Sequence, residues 1–308
     1  MAFEMDIGFA SQAGRKKINE DFCAAMLPDA GQEAMGSIVA IADGVSTGGM
    51  GKEAAQTTVT SLVRDYYGTP VTWNTTVCLD RVIRAQNAWL YGLNDRRHPV
   101  QGLTTLTAVV LRAQSYVLAH VGDTRAYLLR DGRMSQLTTD HVLDVPSLKH
   151  QLLRCVGAEA TLVVDYSQGD LLAGDVFLLL SDGVHGRVND KRLKDLTVAA
   201  LASGQKASAL GQKLIDEALS AGSSDNVTAM VVQVQGLQRS SLHTENRNRV
   251  QTVDETLLAL APEASHPQSF RRSNVWLERS YIVLCKLLLG VGLLLYALLV
   301  SWLLYLPR

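Results

Sequence analysis

Apolar residues in this chain gather in short unbroken runs. Residues 37–42, 106–111, 116–121, 126–129, 176–180 and 228–234 are rich in Val, Ile, Leu and Ala. Runs of four to eight such residues predict strands covered on both faces. Asp131-Gly132 lies between residues 126–129 and 134–137, and Asp-Gly at that place predicts a hairpin. Longer stretches at 52–66, 75–90, 148–155, 191–201 and 206–219 carry apolar groups at helical spacing. Ala54, Ala55, Val59, Leu62 and Val63 illustrate it. Strands come in clusters and helices in pairs, without strict alternation. That pattern predicts an α+β layered sandwich rather than a doubly wound sheet.

The C-terminal pattern is of another kind. Residues 287–306 are twenty consecutive uncharged, mainly apolar residues, which as a helix would span about 30 Å, the thickness of a bilayer core. Arg271, Arg272, Arg279 and Lys286 precede the run and only Arg308 follows it. The positive-inside rule then keeps the N-terminal bulk cytoplasmic. Residues 237–279 mix arginines, acids, serines and prolines and read as a tether. The expected organisation is a globular domain over 1–236, a linker over 237–279 and a single transmembrane helix over 280–306. No signal peptide is expected, because acids come early and no apolar core follows a basic start.

Composition narrows the classes. The chain has 308 residues, 47% hydrophobic and 19% charged, with a formal net charge of −1. Disorder and collagen-like repeats are excluded. No basic patch interleaved with aromatics supports a nucleic-acid role. Cys23, Cys78, Cys155 and Cys285 are widely spaced with no Cys-x-x-Cys, which argues against a disulfide scaffold or a zinc knuckle.

The candidate chemistry lies in where the acids fall. Asp43 ends one apolar run and precedes Gly44. Asp123 follows another run and Gly122, and Asp182 follows residues 176–180 and precedes Gly183. Asp225 and Asn226 precede the last run, and Glu20 and Asp21 form a pair after Asn19. A single Asp-Gly at a strand end is ordinarily a turn. Carboxylates gathered in one site raise one another's pKa unless cations offset them. Oxygen-only ligands suit Mg²⁺ or Mn²⁺, and two such ions can activate a water for attack on a phosphoryl group.

Seven blocks fall in one order: Asn19-Glu20-Asp21, Ala42-Asp43-Gly44, Gly102-Leu103-Thr104-Thr105, residues 120–125, residues 137–141, Leu180-Ser181-Asp182-Gly183 and residues 224–228. In this order the chain resembles the metal-dependent PPM/PP2C family of protein serine/threonine phosphatases, over roughly residues 5–234. The resemblance implies a four-layer α-β-β-α sandwich with a metal cleft at one end. It implies two Mn²⁺ or Mg²⁺ ions: Asp43 bridging, Glu20 and the Gly44 carbonyl on one ion, Asp182 and Asp225 on the other. A third ion is implied at Asp21 and Asp123. Asn226 orients its neighbouring ligand, while Thr104, Thr105 and Thr124-Arg125 brace loops. His120 is expected to be a packed histidine, and His141 either the same or a proton donor.

Two departures stand out. The family places a phosphate-binding arginine four residues before the metal-pair glutamate; here Lys16 stands there, with Arg15 beside it. Either is the expected clamp. Where some relatives have a histidine after the Asp-Gly pair, this chain has Val45 and then Ser46-Thr47-Gly48-Gly49, and valine donates no proton. The implied activity is direct hydrolysis of phosphoserine and phosphothreonine on proteins, with no role for the cysteines. The implied partners are a phosphorylated protein substrate, a separate Ser/Thr kinase that it opposes, and the membrane, the bacterial inner membrane being the expected site. A catalytically weak regulatory or binding protein of the same fold is the competing reading.

Overall fold

The computed structural model describes residues 3–45, 49–96, 102–143, 151–237 and 251–252. Two antiparallel sheets form its centre. The first takes β1 (Phe3–Gln12), β11 (Val227–Leu237), β10 (Val176–Leu180), β7 (Arg125–Arg130) and β8 (Arg133–Gln136), in that spatial order. The second runs β12 (Gln251–Thr252), β2 (Asp21–Met26), β3 (Ser37–Val45), β5 (Leu106–Arg112), β6 (Ser115–Val121) and β9 (Asp165–Asp170). The short β4 (Leu103–Thr104) pairs with the end of β3.

Alternation along the strands builds the layers. Ile38, Ala40 and Ala42 of β3 face α1 (Gly51–Tyr67) and α2 (Thr75–Asp95). Val39 and Ile41 face the other sheet and meet Phe177, Leu179, Met230 and Val232. On that sheet Leu178, Leu180, Ala229 and Val231 turn outward. They pack on α3 (Asp182–His185), α4 (Asp190–Ala202) and α5 (Ala207–Ser220). With apolar cover on both sides, central strands lack the usual apolar–polar alternation and read as continuous hydrophobic runs. Tyr116 and Phe177 join the sheets edge to face, ring centroids 5.1 Å apart, a pair contributing about 1 kcal/mol beyond its burial. The four-layer α-β-β-α arrangement is the expected one.

Local chemistry sets the boundaries. Asn74 caps α2 by accepting from the Thr76 N–H (2.9 Å), and Asn189 caps α4 through the Arg192 N–H (3.0 Å). Helix α5 lacks a side-chain cap of its own; Asp6 of β1 accepts from its Ala207 N–H instead (2.8 Å). Asp131 and Gly132 both take positive φ, +49° and +70°, as a tight β7–β8 hairpin requires.

Two expectations need revision. Residues 148–155 were expected to be helical, but 151–155 are not. Their backbone bonds go elsewhere: the Leu153 N–H to His141 O and the Leu143 N–H to Gln151 O, with Leu152 bridged to Val142. Second, β1, β2 and β9 escaped the reading of apolar runs. Gln251–Thr252 adds a short edge strand to β2, and the first compact unit runs over Met1–Val253. Among the described residues no helix is long and apolar enough to cross a membrane. The run 287–306, most of the linker and the 46–48 segment lie outside the described residues.

Candidate active site

The antiparallel order brings one set of strand ends together: the start of β2, the ends of β3, β6 and β10, and the start of β11. Asp21 continues the inward face of Cys23 and Ala25, and Asp43 that of Val39 and Ile41. The two acids stand opposite each other across the β2–β3 ladder. Asp182 follows β10 as the first residue of α3, and Asp225 sits just before β11.

These carboxyls feel one another strongly. Burial pushes Asp43 well above the ordinary carboxylate range, and the charges of Asp21, Asp182, Asp123 and Asp225 add to it. Asp21 rises to about 7, first through burial, then through Asp182 and Asp225, against the Thr228 and Ser181 hydroxyls. Asp123 also rises to about 7 through burial and the neighbouring Asp182 and Asp140. Asp182 is raised by burial and by Asp225, with the nearby Asp43 carboxyl and Lys16 acting to lower it. Without cations, the acids thus share protons.

Backbone clamps hold the acids in place. The Thr105 hydroxyl accepts from the Asp43 N–H (2.8 Å), and the Thr105 N–H donates to Asp43 O (2.9 Å). Thr104 Oγ1 donates to the same carbonyl (3.0 Å). The Gly44 N–H donates to Glu20 O (3.1 Å), so Glu20 is tied to the Asp43-Gly44 corner. A Cβ on Gly44 would meet Gly51 O at 2.2 Å and Glu20 O at 2.8 Å; only glycine lets α1 begin so close. Gly183 does the same for the opposite wall, where a Cβ would lie 1.9 Å from Asn226 O.

Asn226 is fully buried and does more than orient its neighbour. Its Oδ1 accepts from the Glu20 N–H (2.9 Å). Its Nδ2 donates to Ala13 O (3.0 Å) and Ile18 O (2.9 Å). One side chain thereby closes the 13–20 loop onto the sandwich. That loop carries both expected clamps. Lys16 turns its ammonium to Asp225. Burial acts to lower its pKa, but Asp225, with Asp43 and Asp182 nearby, raises it on balance. Arg15 is exposed and makes no ion pair among the described residues.

The histidines are braces. His120 Nδ1 meets Thr107 Oγ1 (2.9 Å), and Nε2 meets Thr139 O (3.1 Å). Burial and the adjacent His141 push it down to about 4. His141 Nδ1 accepts from the Gly122 N–H (3.1 Å). Its proton is therefore on Nε2, which donates to Asp165 (3.0 Å). Both nitrogens are committed to steadying the Gly122-Asp123 turn. Arg125 holds the adjacent Asp140 through Nε and Nη2. His185 escaped the sequence reading: its Nε2 bonds Asp123 O (2.9 Å), linking the Asp182 and Asp123 corners. Its place three residues after Asp182, one helical turn on, was the available signal. Cys78 and Arg84 also match the Cys-x5-Arg spacing of cysteine phosphatases, a match the sequence reading passed over. Helix α2 buries Cys78 fully and sends Arg84 to Asp80 (2.8 Å), so no phosphate loop forms there.

A divalent cation suits this donor set. Both carboxylate oxygens of Asp21 and Oδ1 of Asp182 are buried with no hydrogen-bond partner, an arrangement costly without an ion. Among the described residues no three acidic, His or Cys side chains close on one point at ligating distance. The acids are assembled but not drawn in.

A two-sheet sandwich with acids gathered at one end is the build of a class of protein phosphatases, and known proteins of that class resemble this chain. The family model for protein phosphatase 2C matches residues 10–221, and the chain belongs to that family. It is 30% identical over 217 residues to the serine/threonine protein phosphatase PstP of Mycobacterium tuberculosis, covering 64% of this chain and 40% of PstP. Over 151 residues it is 31% identical to the serine/threonine phosphatase stp of Listeria welshimeri, covering 44% of this chain and 58% of that protein. The chain thus spans about half the length of these curated relatives. Among solved structures it resembles PppA, a key regulatory component of T6SS in Pseudomonas aeruginosa. That match has a TM-score of 0.65 and 25% identity, over 75% of this chain and 98% of PppA. The Streptococcus agalactiae serine/threonine phosphatase shares the fold with a TM-score of 0.67 and 24% identity, over 75% of this chain and all of that one.

Proposed function

We propose that this chain hydrolyses phosphoserine and phosphothreonine on proteins with the help of divalent cations. The observation that carries the reading is the clustered set Asp21, Asp43, Asp123, Asp182 and Asp225, with buried, unpartnered oxygens on Asp21 and Asp182. Two Mn²⁺ or Mg²⁺ ions would be held by Asp43 between them, by Glu20 and the Gly44 carbonyl on one side, and by Asp182 and Asp225 on the other. Asp21 and Asp123 are the positions for a third. Bound there, the ions supply positive charge that activates water and neutralises a phosphoryl group.

The chain's own groups do the rest. Lys16 stays protonated at neutral pH and offers an ammonium to a phosphate oxygen. Thr104 and Thr105 fix Asp43, and Asn226 fixes the loop that carries Lys16 and Glu20. Lys16 rather than Arg15 is the clamp in this reading, because its ammonium already faces the acids. His120 and His141 keep the Asp123 turn rigid and stay out of proton transfer.

The membrane location and the kinase partner belong to the same proposal. The apolar run 287–306 and the basic residues before it support a single span with the phosphatase on the cytoplasmic side. The curated relatives' name as serine/threonine phosphatases supports a phosphoprotein substrate supplied by a Ser/Thr kinase.

The test is hydrolysis of a phosphothreonine peptide by the full chain, with and without Mn²⁺ or Mg²⁺, beside Asp43→Asn and Asp182→Asn. Metal-dependent release of phosphate, lost in both variants, is expected. No release from folded, metal-supplied protein on several phosphopeptides would favour the regulatory reading instead.

A further inference from the structure

A lysine sits among the clustered acids and turns its ammonium to a proposed ligand while its stem stays partly open to solvent. Lys16 pairs with Asp225 and feels Asp43 and Asp182 as well. Its loop is closed over them by Asn226, through Ala13 O and Ile18 O on either side of the lysine. The Lys16 N–H also bonds Ala13 O (3.1 Å), so the turn that aims the side chain is built. Opposite it, Asp182 Oδ1 and both Asp21 oxygens are buried without partners.

We infer that the Lys16 ammonium is a resident competitor for the cation that Asp225 and Asp182 would hold. This rests on the metal-dependent reading above and adds an order of events to it. Asp225 can face the ammonium or an ion, and a divalent charge set beside a lysine repels it. Ion arrival therefore expels Lys16 from Asp225 and frees it for a phosphate oxygen. The lysine weakens the second ion while the cleft is empty and becomes a phosphate ligand only once the ion is in. An arginine spreads its charge over a planar fork, whereas a lysine ammonium is compact and fits against one carboxylate oxygen. The choice of Lys16 is what makes the competition local to Asp225.

Mn²⁺ binding to the full chain in mild detergent, followed by titration calorimetry without substrate, tests this for wild type and Lys16→Met. The pair is partly open to solvent, so its loss should tighten the weaker Mn²⁺ site about fivefold. A second reading does not depend on a variant. Lys16 should be methylated faster by formaldehyde and borohydride after Mg²⁺ is added, as mass spectrometry reports at that residue. Unchanged or weaker Mn²⁺ binding in Lys16→Met overturns the inference, as does a methylation rate indifferent to Mg²⁺. Peptide hydrolysis is scored separately. A wild-type chain that turns over phosphopeptide while Lys16→Met gains no affinity sinks the competition alone. A gain in affinity with no turnover sinks the phosphatase reading alone.

Discussion

Asn226 offers the sharpest test of how the cleft is held. Asn226→Ala deletes three hydrogen bonds at once: one from the Glu20 N–H and two to Ala13 O and Ile18 O. Each is worth about 1 kcal/mol net when buried. Water reaches the outer part of the 13–20 loop and replaces some of this, so the expected loss is about 2–3 kcal/mol. For a unit of this size, about 2–4 °C of melting temperature accompanies each kcal/mol. Circular dichroism should therefore show a fall of about 4–12 °C. Activity should fall further than stability, because Glu20 and Lys16 ride on the released loop and small misplacements cost on the order of 10²-fold. Asn226→Asp separates geometry from shape. It keeps the acceptor for Glu20 but sets a carboxylate oxygen against two carbonyls, so it should melt no higher than the alanine variant. If Asn226→Ala melts within about 1 °C of wild type and hydrolyses phosphopeptide at the wild-type rate, the clamp argument is wrong.

Other outcomes follow from the same structure. Gly183→Ala places a methyl 1.9 Å from Asn226 O, so it should abolish soluble expression or lower the melting point more than Asn226→Ala does. The pH dependence of stability should change sign with metal. In EDTA, Asp21 and Asp123 bind protons up to about 7 in the folded state, and Asp43 and Asp182 are raised too. Groups of this kind stabilise at low pH and lose that contribution as pH rises from about 4 to 7. His120 and His185, pushed down to about 4, act oppositely: their contribution is present above about 6.5 and lost as pH falls towards 4. Four acids outweigh two histidines, so melting temperature in EDTA should fall as pH rises; with Mn²⁺ holding the carboxylates ionised, it should rise. The same slope in both buffers would contradict the acid cluster. Cys23 and Cys155 are buried with their thiols pushed up, Cys155 to about 11, and should resist a thiol reagent until guanidinium is added.

The sandwich was legible where strands are covered on both faces. Residues 176–180 are apolar throughout because helices lie on one side and the second sheet on the other. Strand β9, Asp165–Asp170, could not be read that way: it is polar and exists because β6 offers it a partner edge. Strand β2 begins in the acid pair and was read as chemistry rather than structure. The 148–155 stretch shows the reverse error: in its described part the Leu153 N–H goes to His141 O and Gln151 O accepts from the Leu143 N–H, so an apolar pattern is held as extended loop. In the site, Asp43, Asp123, Asp182 and Asp225 were legible because each stands at a strand end beside a glycine or a serine, and Glu20 and Asp21 because they form an acidic pair. Which of Arg15 and Lys16 faces the acids was not legible, because adjacent residues in a loop differ only in which way the turn points them. The triple role of Asn226 was hidden for a similar reason: its partners lie more than 200 residues away.

The parity of β3 has a consequence for how this chain can vary over time. Asp43 faces the acids only because it is two residues beyond Ile41 and four beyond Val39. Deleting or inserting one residue within 38–43 would aim the carboxyl at the helices and turn alanine methyls toward the other acids. Substitutions within the strand perturb packing by degrees, whereas a single-residue change in its length exchanges core for chemistry at one stroke. The hydrophobic core therefore acts as a ruler for the reaction centre. Lineages of this domain should tolerate new side chains along β2 and β3 far more readily than any odd change in the distance from the middle of the sheet to the acid at its end.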